Sequence, residues 1–195
     1  MIQIHEPLST FIHIPKTAGT SIHQWMNGLK NFDLNLNNHI YEKCKRIAPS
    51  NKGHPIRKTI DKEFDELGTV FTVVRNPWDR FVSAYFFMIQ GGMLSSGTSF
   101  KHFVKNKNLW KFVTIKQVCY VEDTDIVMKF ENITEDFKQV QDFYNDYRQL
   151  GHERETKNRK KRKYHEMYEN DKKLIDIIGN FYQEDVEKFG YKYHI

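Results

Sequence analysis

Residues 11–21 read Phe-Ile-His-Ile-Pro-Lys-Thr-Ala-Gly-Thr-Ser. A short apolar, β-prone run ends at Pro15-Lys16, and a small-residue loop carrying Gly19 follows. Ile22, Trp25, Met26 and Leu29 then recur at helical spacing. A strand, a tight loop and a helix start in that order make an anion site. The first N–H groups of a helix lack internal partners, and the helix dipole makes that end partly positive. Lys16 adds a full charge, and Thr17, Thr20 and Ser21 add hydroxyl donors, so the stretch reads as a seat for a phosphorylated ligand. Taken alone, it can also be read as a strand–turn–helix joint with an incidental lysine. A Walker A loop is set aside by order: that pattern places its lysine after the last glycine, whereas Lys16 precedes Gly19.

A second stretch, 69–89, has the same grammar. Val70–Val74 form an apolar run suited to a buried parallel strand. Asn76 suits an N-cap and Pro77 the first helical position. Trp78, Phe81, Val82, Tyr85, Phe86 and Ile89 then mark one helical face. Arg75 thus falls at the carboxyl end of a strand, with Ser83 on the helix after it. Open α/β sheets bind ligands at that edge, and a guanidinium presents a planar fork to phosphate oxygens. Read blandly, Arg75 makes an ion pair and Ser83 is a small residue at a packing contact.

Pro-Lys-x-x-Gly-Thr-Ser at 15–21 resembles the 5′-phosphosulfate loop of sulfotransferases that use 3′-phosphoadenosine 5′-phosphosulfate (PAPS). Arg-Asn-Pro-Trp-Asp-Arg-Phe-Val-Ser-Ala-Tyr at 75–85 is similar to their 3′-phosphate segment, particularly in the carbohydrate (heparan- and chondroitin-like) branch. The resemblance implies that Lys16, Thr17, Ala18, Gly19, Thr20 and Ser21 hold the 5′-phosphosulfate and that Arg75 and Ser83 hold the 3′-phosphate. It also implies a histidine base in a Gly-His segment between the two motifs, where Gly53-His54 stands. Neutral-pH proton transfer suits histidine, although His54 could also be a loop residue without catalytic duty. His39 is the next candidate, and His13 reads as packing within the first strand. Lys16 would steady charge on the bridging oxygen. No metal is expected.

The remainder of the chain is consistent with this reading. Its 195 residues allow one sizeable core. A 39% hydrophobic content with 15 Phe and 10 Tyr excludes a disordered polymer. A net charge of +5 suits a polyanionic ligand. Cys44 and Cys119 fit neither a disulfide framework nor a metal motif. No basic-then-apolar leader opens the chain, and no apolar run reaches the about 18–20 residues of a membrane span. A soluble, cytoplasmic enzyme is therefore expected.

Residues 27–68 read as polar and irregular, and with 91–124 they are expected to form acceptor-side insertions. Phe103, Leu109, Trp110 and Phe112 suit core packing better than an acceptor cleft. A further strand is expected over 125–130, then a helix with Ile133, Phe137, Val140, Tyr144 and Tyr147 on one face. The basic run Lys-Asn-Arg-Lys-Lys-Arg-Lys at 157–163 lies within a basic loop over 151–165. Alone it reads as a nucleic-acid patch or a solvated face. In the resembled family a basic loop at this position closes over the nucleotide, which makes Arg154, Lys157 and Arg159 candidates for the 3′-phosphate or a polyanionic acceptor.

The resulting expectation is a single α/β domain over 1–195, with a central parallel sheet flanked by helices in the P-loop-kinase-like sulfotransferase fold. Its activity would be sulfuryl transfer from PAPS to a hydroxyl, of a carbohydrate or other acceptor, without nucleic acid as partner. A nucleoside or nucleotide kinase-like phosphotransferase is the main alternative, and a basic nucleic-acid-binding protein a weaker one. Acceptor identity and oligomeric state have no signature in the sequence.

Overall fold

A computed structural model describes residues 1–110, 113–151 and 163–194. Its strands are β1 (Ile2–His5), β2 (Leu8–Ile12), β3 (Thr69–Val74) and β4 (Ile126–Lys129). The first helices are α1 (Gly19–Asn27), α2 (Leu34–Ile47), α3 (Arg57–Glu63), α4 (Pro77–Gln90) and α5 (Phe100–Lys105). They are followed by α6 (Ile133–Asp136), α7 (Lys138–Tyr144), α8 (Tyr164–Tyr168), α9 (Lys172–Phe181) and α10 (Gln183–Phe189). The fold is α/β, as the sequence predicts. The chain forms two compact units, each built from two stretches: Met1–Val74 with Cys119–Glu153, and Arg75–Val118 with Arg154–Ile195.

The first unit holds the sheet, in the order β1-β2-β3-β4. β2 and β3 run parallel, with Phe11 opposite Phe71, and β3 and β4 run parallel, with Phe71 opposite Ile126. β1 adds an antiparallel edge, Ile2 opposite Phe11, so the sheet is mixed rather than wholly parallel. The cause is loop length. Only Glu6 and Pro7 separate β1 from β2, enough for a hairpin, whereas a parallel crossover needs about a dozen residues. Val70 to Val74 are each at most 3% exposed, which explains their apolar bias, and the one polar member, Thr72, donates its hydroxyl to the Ile12 carbonyl at 2.6 Å. Phe71 and Val73 pack with Ile22, Trp25 and Met26 of α1 and with Phe137 and Val140 beside and within α7. Tyr147, expected on that helical face, is exposed, because Asn145 takes a left-handed conformation and ends α7.

The stretch 27–68 is not irregular: it contains α2 and α3. Only Asn37, Ile40 and Cys44 of α2 are buried, so its apolar periodicity is thin and its polar faces dominate the reading. Asp33 caps α2 by accepting from the Leu36 N–H at 3.0 Å. The Asn37 side chain occupies the open edge of β1. It accepts from the Gln3 N–H and donates to the Gln3 carbonyl, both at 2.9 Å, which closes an otherwise unpaired strand position.

The second unit is helical. Asn76 caps α4 by accepting from the N–H groups of Trp78 and Asp79 at 3.1 and 3.4 Å, and Pro77 takes the first turn. α4 is buried on nearly every side; of the face read from the sequence, Trp78, Phe81, Val82, Tyr85 and Phe86 pack with Phe100, Phe103, Trp110, Leu174 and Ile178, while Ile89 is partly buried. Trp110 is fully buried and its indole N–H donates to the Phe103 carbonyl at 2.9 Å, so it belongs to the core. Phe112 lies outside the described residues.

Candidate functional site

The loop after β2 is sharply turned. Lys16 and Ala18 adopt left-handed φ values of 71° and 74°, a conformation that costs a side-chain-bearing residue about 1–2 kcal/mol. Such strain persists where the surroundings fix it, as at binding sites. Thr17 is fully buried and its hydroxyl donates inward to the Ile14 carbonyl at 2.9 Å, so its side chain shapes the loop. Ala18 stands at the N-terminus of α1, and its carbonyl accepts from Ser21 N–H at 3.0 Å and Ile22 N–H at 3.3 Å. No acidic residue occupies the first turn, which preserves the positive end of the nine-residue helix. Lys16 and Thr20 are partly exposed there, and Ser21 is buried.

Gly19 is required by a neighbour rather than by its own torsion. A Cβ at this position would lie 1.9 Å from Nε2 and 2.0 Å from Cδ2 of His13. The His13 ring therefore lies directly against the loop. Burial pushes its pKa well below the ordinary histidine value, with the nearby His54, N-terminus, His23 and Lys16 acting in the same direction, so it is neutral at pH 7.

His54 is delivered to the same place by a purpose-built turn. Lys52 and Gly53 take left-handed φ values of 51° and 78°, and Gly53 N–H donates to the Ala48 carbonyl at 3.0 Å. Two consecutive residues of this kind favour glycine at one of them. Asn51 ties the turn down: its amide donates to the His54 carbonyl and, at 2.6 Å, to the Tyr120 hydroxyl. Nδ1 of His54 lies 3.2 Å from the His13 carbonyl oxygen, and the two rings meet edge to face at 4.5 Å. A carbonyl can only accept, so Nδ1 carries the proton, which in the neutral imidazole leaves the lone pair on Nε2. His39, by contrast, is exposed on α2.

Arg75, in the second unit, is 5% exposed, and its Nε and Nη2 both lie 2.8 Å from Asp79 Oδ2. Its backbone is fixed by Gln117, which accepts from the Arg75 N–H and donates to its carbonyl, each at 2.8 Å. Buried Asp185 in turn accepts from the N–H groups of Gln117 and Val118 at 2.9 Å, and burial raises its carboxyl pKa. Asp79 and Ser83 stand four residues apart on one side of α4, and Arg75, which precedes the Asn76 cap, reaches that side through its contact with Asp79. Ser83 is 5% exposed.

The sequence does not mark Gln117, Asp185, Asn51 and Tyr120. Gln117, Asp185 and Tyr120 act across tens of residues, and Asn51 joins the local His54 turn to distant Tyr120. Arg154, Lys157 and Arg159 lie outside the described residues. Among the described residues, no group of three or more His, Cys, Asp or Glu is placed to hold a metal ion, and no helix is long and apolar enough to cross a membrane.

The first unit thus carries a sharply turned loop between a strand and a helix, and the second begins with Arg-Asn-Pro at the start of a capped helix. A family model described as Sulfotransferase family matches residues 10–192, nearly the whole chain, and the chain belongs to that family, in its family 2 branch. No curated protein and no solved structure matches it. The activity is thus sulfotransfer, and the protein is a transferase with an acceptor substrate.

Proposed function

We propose that the sulfuryl donor is PAPS and that the acceptor is a hydroxyl of a carbohydrate. The observation that carries the catalytic part is the contact of His54 with His13, whose ring lies against Gly19 of the loop. A base is thereby tied to the same loop that holds Lys16. Nε2 of His54 takes the acceptor proton, the acceptor oxygen bonds to sulfur, and the sulfur–oxygen bond to the 5′-phosphate breaks. The products are a sulfate ester and adenosine 3′,5′-bisphosphate. Lys16 stabilises negative charge on the departing bridging oxygen. Positioning and charge stabilisation carry such a transfer, so this scheme requires no metal.

The donor's 5′-phosphosulfate is held by Lys16, by main-chain N–H groups over Thr17, Ala18 and Gly19, and by Thr20 and Ser21. Thr17 contributes through its backbone, because its hydroxyl is committed to Ile14. Arg75 and Ser83 take the 3′-phosphate, and Arg154, Lys157 and Arg159 supply cations to it or to a polyanionic acceptor. The enzyme works in the cytoplasm. Incubation with radiolabelled PAPS, a panel of hydroxylated acceptors and excess EDTA tests this reading. Label is expected on a carbohydrate and undiminished by chelation. Transfer only to phenols or amines, or only with added metal, contradicts it.

A further inference from the structure

We propose that His13 is a positioning residue, the wedge on which both the loop glycine and the catalytic base are seated; this rests on the reading of His54 as the base. Three contacts converge on it. Its carbonyl accepts from Nδ1 of His54 at 3.2 Å, its ring meets the His54 ring at 4.5 Å and 86°, and its Nε2 and Cδ2 fill the space a side chain on Gly19 would need. Behind it, Phe11 stacks on the His13 ring at 6.0 Å and 19°, and Phe71 packs on Phe11 at 5.4 Å. Phe11 and Phe71 are at most 1% exposed. A row of rings thus runs from the centre of the sheet through His13 to His54.

The chemistry explains why such a row matters. A base that drifts by about 1 Å costs on the order of a hundredfold in rate, and an imidazole on a surface turn would otherwise rotate about two torsions. The carbonyl fixes which nitrogen of His54 holds the proton, and the ring edge fixes the plane in which Nε2 points. Because the same ring abuts Gly19, the loop and the base cannot move independently.

Comparison of His13→Phe and His13→Ala tests the proposal. His13→Phe keeps an aromatic wedge and is expected within about threefold of the parent kcat, whereas His13→Ala falls on the order of 10–100-fold. Affinity for adenosine 3′,5′-bisphosphate should stay within about threefold in His13→Phe and weaken less than kcat falls in His13→Ala, where Gly19 loses its seat. Unchanged kcat in His13→Ala overturns the proposal. So does a parallel loss of kcat, bisphosphate affinity and Tm in which Phe is no better than Ala. A second cycle examines the loop side. Gly19→Ala is expected to weaken bisphosphate binding by about tenfold or more, and adding His13→Ala should restore most of it. Persistence of the defect in the double variant contradicts the wedge. His54→Gln separates the underlying reading: if turnover survives it, the base assignment and the positioning role fall together, while the Gly19 cycle still decides how the loop is seated.

Discussion

The loop at 15–21 and the Arg75 segment both end a strand and begin a helix, yet on the proposed reading they would meet an anion in opposite ways. In the loop the proposed recognition elements are main-chain N–H groups, organised by two left-handed residues and by a buried Thr17 hydroxyl turned inward. At Arg75 the proposed recognition element is a side-chain cation, held in advance by Asp79 at 2.8 Å and by a glutamine clasp on its backbone. Strain in the backbone stores geometry without storing charge. A buried ion pair stores orientation, at the cost of sharing the charge with the ligand. The first device suits the end of the donor where bonds change, and the second suits a phosphate that only anchors.

The comparison breaks most visibly at the chemical centre. His54→Gln is expected to lower kcat by about 10²–10⁴-fold with bisphosphate affinity unchanged, as steady-state kinetics beside calorimetry would reveal. Lys16→Met should lose about 10²–10³-fold in kcat, because it removes charge stabilisation at the breaking bond. Arg75→Met acts on the anchor. It leaves Asp79 buried beside an apolar chain, so a stability loss of about 3–5 kcal/mol in urea titration should accompany weaker bisphosphate binding. Asn76→Ala removes only the helix cap, for about 1 kcal/mol in the same assay.

Acidification is the gentlest probe. Burial lowers the pKa values of His13 and His23, so below the ordinary value of 6.5 the unfolded chain binds more protons than the folded one. Stability is therefore full above about pH 6.5 and declines as pH falls below it. Thermal melts between pH 7.5 and 5 should show the decline, and His13→Phe should flatten part of it.

Local signals made much of this molecule legible. The cap at Asn76, the proline at the first turn and the spacing of Trp78, Phe81 and Tyr85 each declare α4 within a few residues. The loop and the strand over Val70–Val74 are equally local. α2 was missed because its buried set is only Asn37, Ile40 and Cys44, too few apolar residues to stand out in a polar stretch. The β1 edge escaped because its pairing depends on a two-residue connection rather than on composition. The site's supports, Gln117 on Arg75 and Tyr120 on Asn51, join residues 42 and 69 positions apart. Such pairings belong to the tertiary fold, and no window of sequence contains them. The sequence places His13 within a strand; it lies just past the end of β2 and packs on Phe11. What that packing holds in place becomes apparent only with His54 beside it.

The most direct test of the central claim is calorimetry of the whole chain with adenosine 3′,5′-bisphosphate and with ATP, each with and without magnesium. Tight bisphosphate binding that is indifferent to magnesium, together with much weaker ATP binding, is the expected result. Tighter, magnesium-dependent ATP binding would contradict it.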